Sequence, residues 1–72
     1  MAHEVRSEVT GTVWKVEMAV GDSVAVGDTI MILESMKMEI PVEAEVAGTL
    51  SALHVEPEAP IEEDQLLAEI SS

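Results

Sequence analysis

Apolar and polar residues alternate with a period of two along most of this chain, as they do in strands that bury one face. Over residues 39–46, Ile40, Val42, Ala44 and Val46 fall on one side, and Glu39, Glu43 and Glu45 on the other. Trp14, Val16, Met18 and Val20 alternate in the same way against Lys15 and Glu17, which makes Trp14, the only aromatic residue, an expected core side chain. Residues 29–33 form a short, nearly continuous apolar run, the mark of a more fully buried strand. Gly21-Asp22 and Gly27-Asp28 punctuate the chain as turns do. No segment carries a 3.6-residue period, so the pattern predicts an all-β domain.

The two halves repeat each other without a gap when the chain is shifted by 37 residues. Gly11-Thr12-Val13 then meets Gly48-Thr49-Leu50, Val16 meets Leu53 and Met18 meets Val55. Val24 meets Ile61, Ile30 meets Leu67 and Leu33 meets Ile70. Such a repeat implies two similar sheets related by a rough two-fold axis. Residues 35–38 lie between the halves, and their counterpart falls at the C-terminal end. The central hairpin and the chain termini are therefore expected at opposite ends, with Lys37 far from Ser72.

Between the apolar run and the strand that follows it stands Glu34-Ser35-Met36-Lys37-Met38. Antiparallel strands joined this closely need a tight turn, and two-residue turns demand positive φ, normally supplied by Gly, Asn or Asp. This tip has none of them. It sets two apolar side chains around a cation where water is expected, with the methionines at alternate positions and so on a face of their own. A local rule broken without structural gain marks a candidate functional site. The plainer alternative is a solubilising charge on an ordinary turn, with Met36 and Met38 tucked into the core.

With 72 residues, 1–72 is one domain. A chain of this size buries only ~60% of its unfolded surface, so the core is thin. No cysteine is present to form a disulfide or a thiolate metal site. Met1-Ala2-His3-Glu4-Val5-Arg6 lacks a secretory apolar region, and no apolar run approaches ~18 residues, so a cytoplasmic protein is expected. Fifteen acidic residues against three basic ones give a net charge of −12, which repels phosphate backbones and anionic lipids. Neither nucleic acid nor a membrane is an expected partner. Only two lysines occur, Lys15 and Lys37, so an enzyme that modifies lysine has little to choose between. His3 and His54 lack metal-ligand spacing and read as surface residues; no metal is expected. The acidic run Glu62-Glu63-Asp64 lacks the order of a calcium loop. Ser35 has no nucleophile elbow around it.

Glu34-Ser35-Met36-Lys37-Met38-Glu39 resembles the Glu-(Ala/Ser)-Met-Lys-Met motif of biotinyl domains, the carriers of biotin-dependent carboxylases. The resemblance spans nearly the whole chain, through Gly11-Thr12, Gly21-Asp22, Gly27-Asp28 and Gly48-Thr49, and is nearest to short free-standing biotin/lipoyl attachment proteins. It implies a flattened β-barrel (a barrel-sandwich hybrid) of two four-stranded antiparallel sheets, with Lys37 on an exposed hairpin. It also implies covalent biotin on that lysine, attached by biotin protein ligase, and a carrier of carboxybiotin between biotin carboxylase and carboxyltransferase. Met36 and Met38 are then recognition contacts, and Glu34 and Ser35 residues read by the ligase. A lysine amine in water is almost wholly protonated at pH 7, so a partner must supply the activation; the chain is read as a non-catalytic carrier. Related lipoyl domains usually carry Asp-Lys-Ala, which makes a lipoyl-type acyl carrier the second reading; an unmodified interaction module is a third. The second half departs from the family in having Glu58-Ala59 and Asp64-Gln65 where Gly-Asp and Gly-Gln are usual; Pro57 and Pro60 are expected to hold the turn there by fixing φ. Residues 21–26 leave no room for the protruding loop of some bacterial carriers, and no Ala/Pro-rich linker is present.

Overall fold

The computed structural model describes residues 2–71. Among them the chain forms strands and no helix: β1 (Ala2–Arg6), β2 (Gly11–Val16), β3 (Ser23–Val24), β4 (Thr29–Ser35), β5 (Met38–Glu43), β6 (Gly48–Leu53), β7 (Pro60–Ile61) and β8 (Leu66–Ser71). All pairings are antiparallel and build two four-stranded sheets, ordered β1-β8-β6-β3 and β5-β4-β2-β7. The inner faces of both sheets supply one core, in a body of 32 × 17 × 17 Å. The all-β expectation and the two-sheet flattened barrel both hold.

The 37-residue repeat governs nearly every element. Shifting by it lays β2 on β6, β3 on β7 and β4 on β8. The buried pairs Val13/Leu50, Val24/Ile61, Ile30/Leu67, Met31/Ala68 and Leu33/Ile70 are all equivalent under the same shift. The turns repeat as well. Gly21 N–H donates to Leu50 C=O at 2.8 Å, and Glu58 N–H donates to Val13 C=O at 2.6 Å. Gly27 N–H donates to Ala44 C=O at 2.9 Å, and Asp64 N–H to Ser7 C=O at 2.7 Å.

That equivalence resolves the departures in the second half. Gly21 and Gly27 sit at φ 100° and 92°, and their counterparts Glu58 and Asp64 at 71° and 70°. The turns keep one shape in both halves because the same backbone hydrogen bonds draw these residues into the left-handed region, glycine or not. The prolines flank this conformation; the non-glycine residues carry it.

One core expectation fails. Trp14 is 49% exposed and Val20 59% exposed, while Val13 is the fully buried residue of β2. The pairing of β2 with β4 shifts between Val13 and Lys15, so that Trp14 and Lys15 together oppose Ile32. A bulge of this kind inserts one residue and breaks the period of two. Trp14 is thereby turned out onto the open face of the sheet, and β2 ends before Met18 and Val20. The second alternating segment behaves as read: Ile40, Val42 and Val46 are half-buried and Ala44 buried, with Glu39, Glu43 and Glu45 exposed.

Ala2 pairs with Ser71 at one end of its sheet, and Ser35 with Met38 at one end of the other. From Thr12, beside Glu34, the chain runs through β2 to Gly21, which is bonded to Leu50 near the Ala2–Ser71 end. The hairpin and the paired terminal strands thus occupy opposite ends; Ser72 itself lies outside the described residues.

Candidate functional site

β4 and β5 stay in register to their last residues: Leu33 faces Ile40, Glu34 faces Glu39 and Ser35 faces Met38. Only Met36 and Lys37 remain to turn the chain, at φ 53° and 64°. Positive φ at both central positions defines a type I′ turn, the one whose twist matches that of the flanking strands. Strand twist therefore imposes on Met-Lys a conformation suited to Asn-Gly. For side chains with a Cβ this costs about 1–2 kcal/mol per residue. Replacing Met36 with Asn, which tolerates the left-handed region, should raise the thermal midpoint by a few degrees in a circular-dichroism melt.

The strain is held from below. Ser35 Oγ donates to the Thr10 carbonyl at 2.9 Å, and Thr10 Oγ1 accepts from Glu63 N–H at 3.1 Å. Gly11 lies directly against the Glu34–Ser35 backbone. Ser35 thus anchors the base of the hairpin.

The tip itself points into water. Met36 is 91% exposed and Met38 63% exposed, so neither is tucked into the core. They do not share a strand face as alternation suggested, because Met36 belongs to the turn and Met38 opens β5. Lys37 is exposed between them, and none of the ion pairs among the described residues includes it. Lys15, the other lysine, lies on a sheet face with its Nζ 3.2 Å from Glu17 Oε1. Glu34 and Glu39 are exposed cross-strand neighbours at the base of the turn. Glu34 also lines a small hollow of about 340 Å³ with Thr12, Val13, Trp14 and Glu58. His54 is tied by its Nε2 to Glu69 Oε2 at 2.9 Å, on the other sheet.

A family model described as "Biotin-requiring enzyme", the biotin/lipoyl domain, matches residues 1–70. The chain belongs to this family. It is 45% identical to a biotinylated protein TB7.3 homolog of Mycobacterium leprae, over 99% of this chain and 100% of that one. It is 35% identical to a biotin/lipoyl attachment protein of Bacillus subtilis, covering 94% of this chain and 93% of that protein. Among solved structures, the urea carboxylase of Kluyveromyces lactis contains a segment that superposes with a TM-score of 0.93 at 37% identity; it covers 99% of this chain and 6% of that enzyme. The biotin/lipoyl fold is thus shared both by proteins of this length and by a small part of a very large one.

The site suits the cofactor of the family. Biotin joins its carrier through an amide, which needs a primary amine that is exposed and free to be approached. Lys37, at the apex of a two-residue turn with exposed neighbours, meets that need; Lys15, exposed as well, lies on a sheet face beside Glu17 and not on a turn. Sequence reasoning missed Trp14 as a surface residue. The repeat held the clue: Trp14 aligns with Ser51, whereas every buried position except the Ser7/Ala44 pair is apolar in both halves.

Proposed function

We propose that the chain is a biotin carboxyl carrier, biotinylated on Lys37 by biotin protein ligase and serving a biotin carboxylase and a carboxyltransferase. The observation that carries this is an exposed lysine, without an ion-pair partner among the described residues, at the apex of a strained type I′ turn. Its Nζ attacks an activated carboxyl group, forms the amide bond and loses a proton as the activating group departs. No described carboxylate or imidazole is hydrogen-bonded to the amine, so the base belongs to the ligase and the carrier contributes presentation. Bound biotin supplies the carboxyl-transfer chemistry. The paired strands β4 and β5 form a stiff base, so a tethered group visits a docked active site at high effective concentration. Met36 and Met38 serve as apolar contacts for the enzymes that handle the tip, Glu34 as a polar one. The cytoplasm, where no disulfide is needed, is the compartment this reading supports.

Co-expression with biotin protein ligase tests the proposal. Intact mass and peptide mapping should find one biotin per chain, on Lys37; lipoate there, or an unmodified chain, would overturn it. The double variant Met36→Asp, Met38→Ala, which imitates lipoyl flanks, should fold normally yet biotinylate poorly. Unchanged biotinylation by a gel-shift assay with streptavidin would show that the methionines are not read.

A further inference from the structure

The internal two-fold provides a control for every surface position. A residue demanded by the fold should have an equivalent of like character 37 residues away, and most core residues do. On the open face of the β5-β4-β2-β7 sheet this fails. Ile32 and Pro41 are cross-strand partners there, and Trp14 sits beside them in the bulge. Their counterparts on the other sheet are Glu69, Glu4 and Ser51. Those residues are polar at the same register, with the equivalent bulge between Leu50 and Ala52. The fold thus tolerates polar side chains at these three places, and packing does not explain why one sheet has apolar ones. Among the described residues the other large exposed apolar side chains besides the two methionines, Val20 and Val26, lie singly in turns.

The strip also has a charged border. Glu34, Glu39 and Glu58 are exposed around it, Glu34 and Glu58 line the same hollow as Trp14, and Lys15, the cation in the bulge, is paired with Glu17. An indole face between two carboxylates suits a cationic side chain lying flat on the ring. With a net charge of −12, a second copy of this chain would be repelled from such a surface.

We propose that this face is the docking surface for the enzyme that acylates Lys37, and that this enzyme presents an apolar patch bordered by arginine or lysine, one of which lies against Trp14. The inference rests on Lys37 being the acylated residue. The acylating enzyme must bring its catalytic centre to the amine itself, one side-chain length from the turn, so its surface has to lie over the strands next to the tip. Enzymes that meet the far end of a long tether need no contact with the sheet.

Steady-state biotinylation by purified biotin protein ligase reads this directly. Trp14→Ser and Ile32→Glu install what the equivalent positions already carry, so the fold is kept; a thermal melt verifies it. Each should raise KM about tenfold or more, the effect of losing a buried aromatic or apolar anchor, with kcat within about twofold. Glu69→Gln, on the opposite face, should leave KM unchanged. Raising the salt concentration should raise KM for the wild type, because the border is screened. A readout free of turnover uses the single tryptophan: 5-fluorotryptophan-labelled Lys37→Arg protein gives one ¹⁹F resonance from Trp14, which should shift on adding ligase. If the wild type is biotinylated on Lys37 but KM ignores both substitutions and the resonance stays put, the docking surface is refuted and the carrier reading stands. If Lys37 takes no biotin, the carrier reading itself is lost.

Discussion

Lys37→Arg is expected to abolish biotin incorporation while leaving the fold intact. The guanidinium keeps the charge and nearly the length of the lysine, and the turn keeps a residue with a Cβ at φ 64°. The thermal midpoint should therefore be unchanged. What is lost is the neutral nucleophile. From the ordinary values for the two groups, the fraction of uncharged arginine is about 10²–10³-fold smaller than that of lysine, and its lone pair is delocalised over the guanidinium plane. Streptavidin blotting after co-expression with ligase should fall to background. Lys15→Arg should keep the full signal, since Lys15 lies on a sheet face away from the turn. Biotin found on Lys15 in the Lys37→Arg protein would mean that access, and not the hairpin motif, selects the lysine.

The second large effect concerns the glycines at the feet of the two equivalent strands. A Cβ on Gly11 would collide with the Glu34 carbonyl oxygen and come within 3.2 Å of Ser35 Cα. A Cβ on Gly48 would collide with the Ser71 carbonyl oxygen and come within 3.0 Å of Ile70 Cγ2. In both cases the obstacle is mainly backbone, which cannot rotate away. Gly11→Ala and Gly48→Ala should each cost about 2–4 kcal/mol, near the upper range for overpacking. A domain of this size holds about 4–11 kcal/mol in total. Each midpoint should thus drop by roughly 10–30 °C. The two variants should differ in function. Gly11 supports the base of the Lys37 hairpin, so Gly11→Ala should slow biotinylation even at temperatures where it is folded. Gly48 lies by the chain termini, so Gly48→Ala should destabilise equally and acylate normally. Equal acylation of the two folded variants would show that the hairpin base does not position the lysine.

These predictions separate what could be read along the chain from what could not. The strand at β5 was legible because Ile40 and Val42 alternate with Glu39 and Glu43 without interruption. The buried strand β4 was legible because its apolar run allows no solvent face, and the structure buries Ile30, Met31 and Leu33. The position of Trp14 was illegible. Alternation assumes an unbroken ladder, and a single bulged residue reverses the direction of whatever stands at it. The left-handed backbone at Glu58 and Asp64 was illegible for a related reason: long-range hydrogen bonds to Val13 and Ser7 hold residues whose own propensities point elsewhere.

The sequence by itself determined the class of fold, the two-fold repeat and the lysine singled out at a turn, because each is encoded in local periodicity or in the rarity of a residue type. Only the tertiary structure decided which face Trp14 occupies, that Ser35 anchors the hairpin through Thr10, and that Met36 and Lys37 are forced to positive φ. Those outcomes depend on strand twist, on a bulge and on contacts between segments far apart in the chain. Forces of that kind act between neighbours in space, and no stretch of consecutive residues records them.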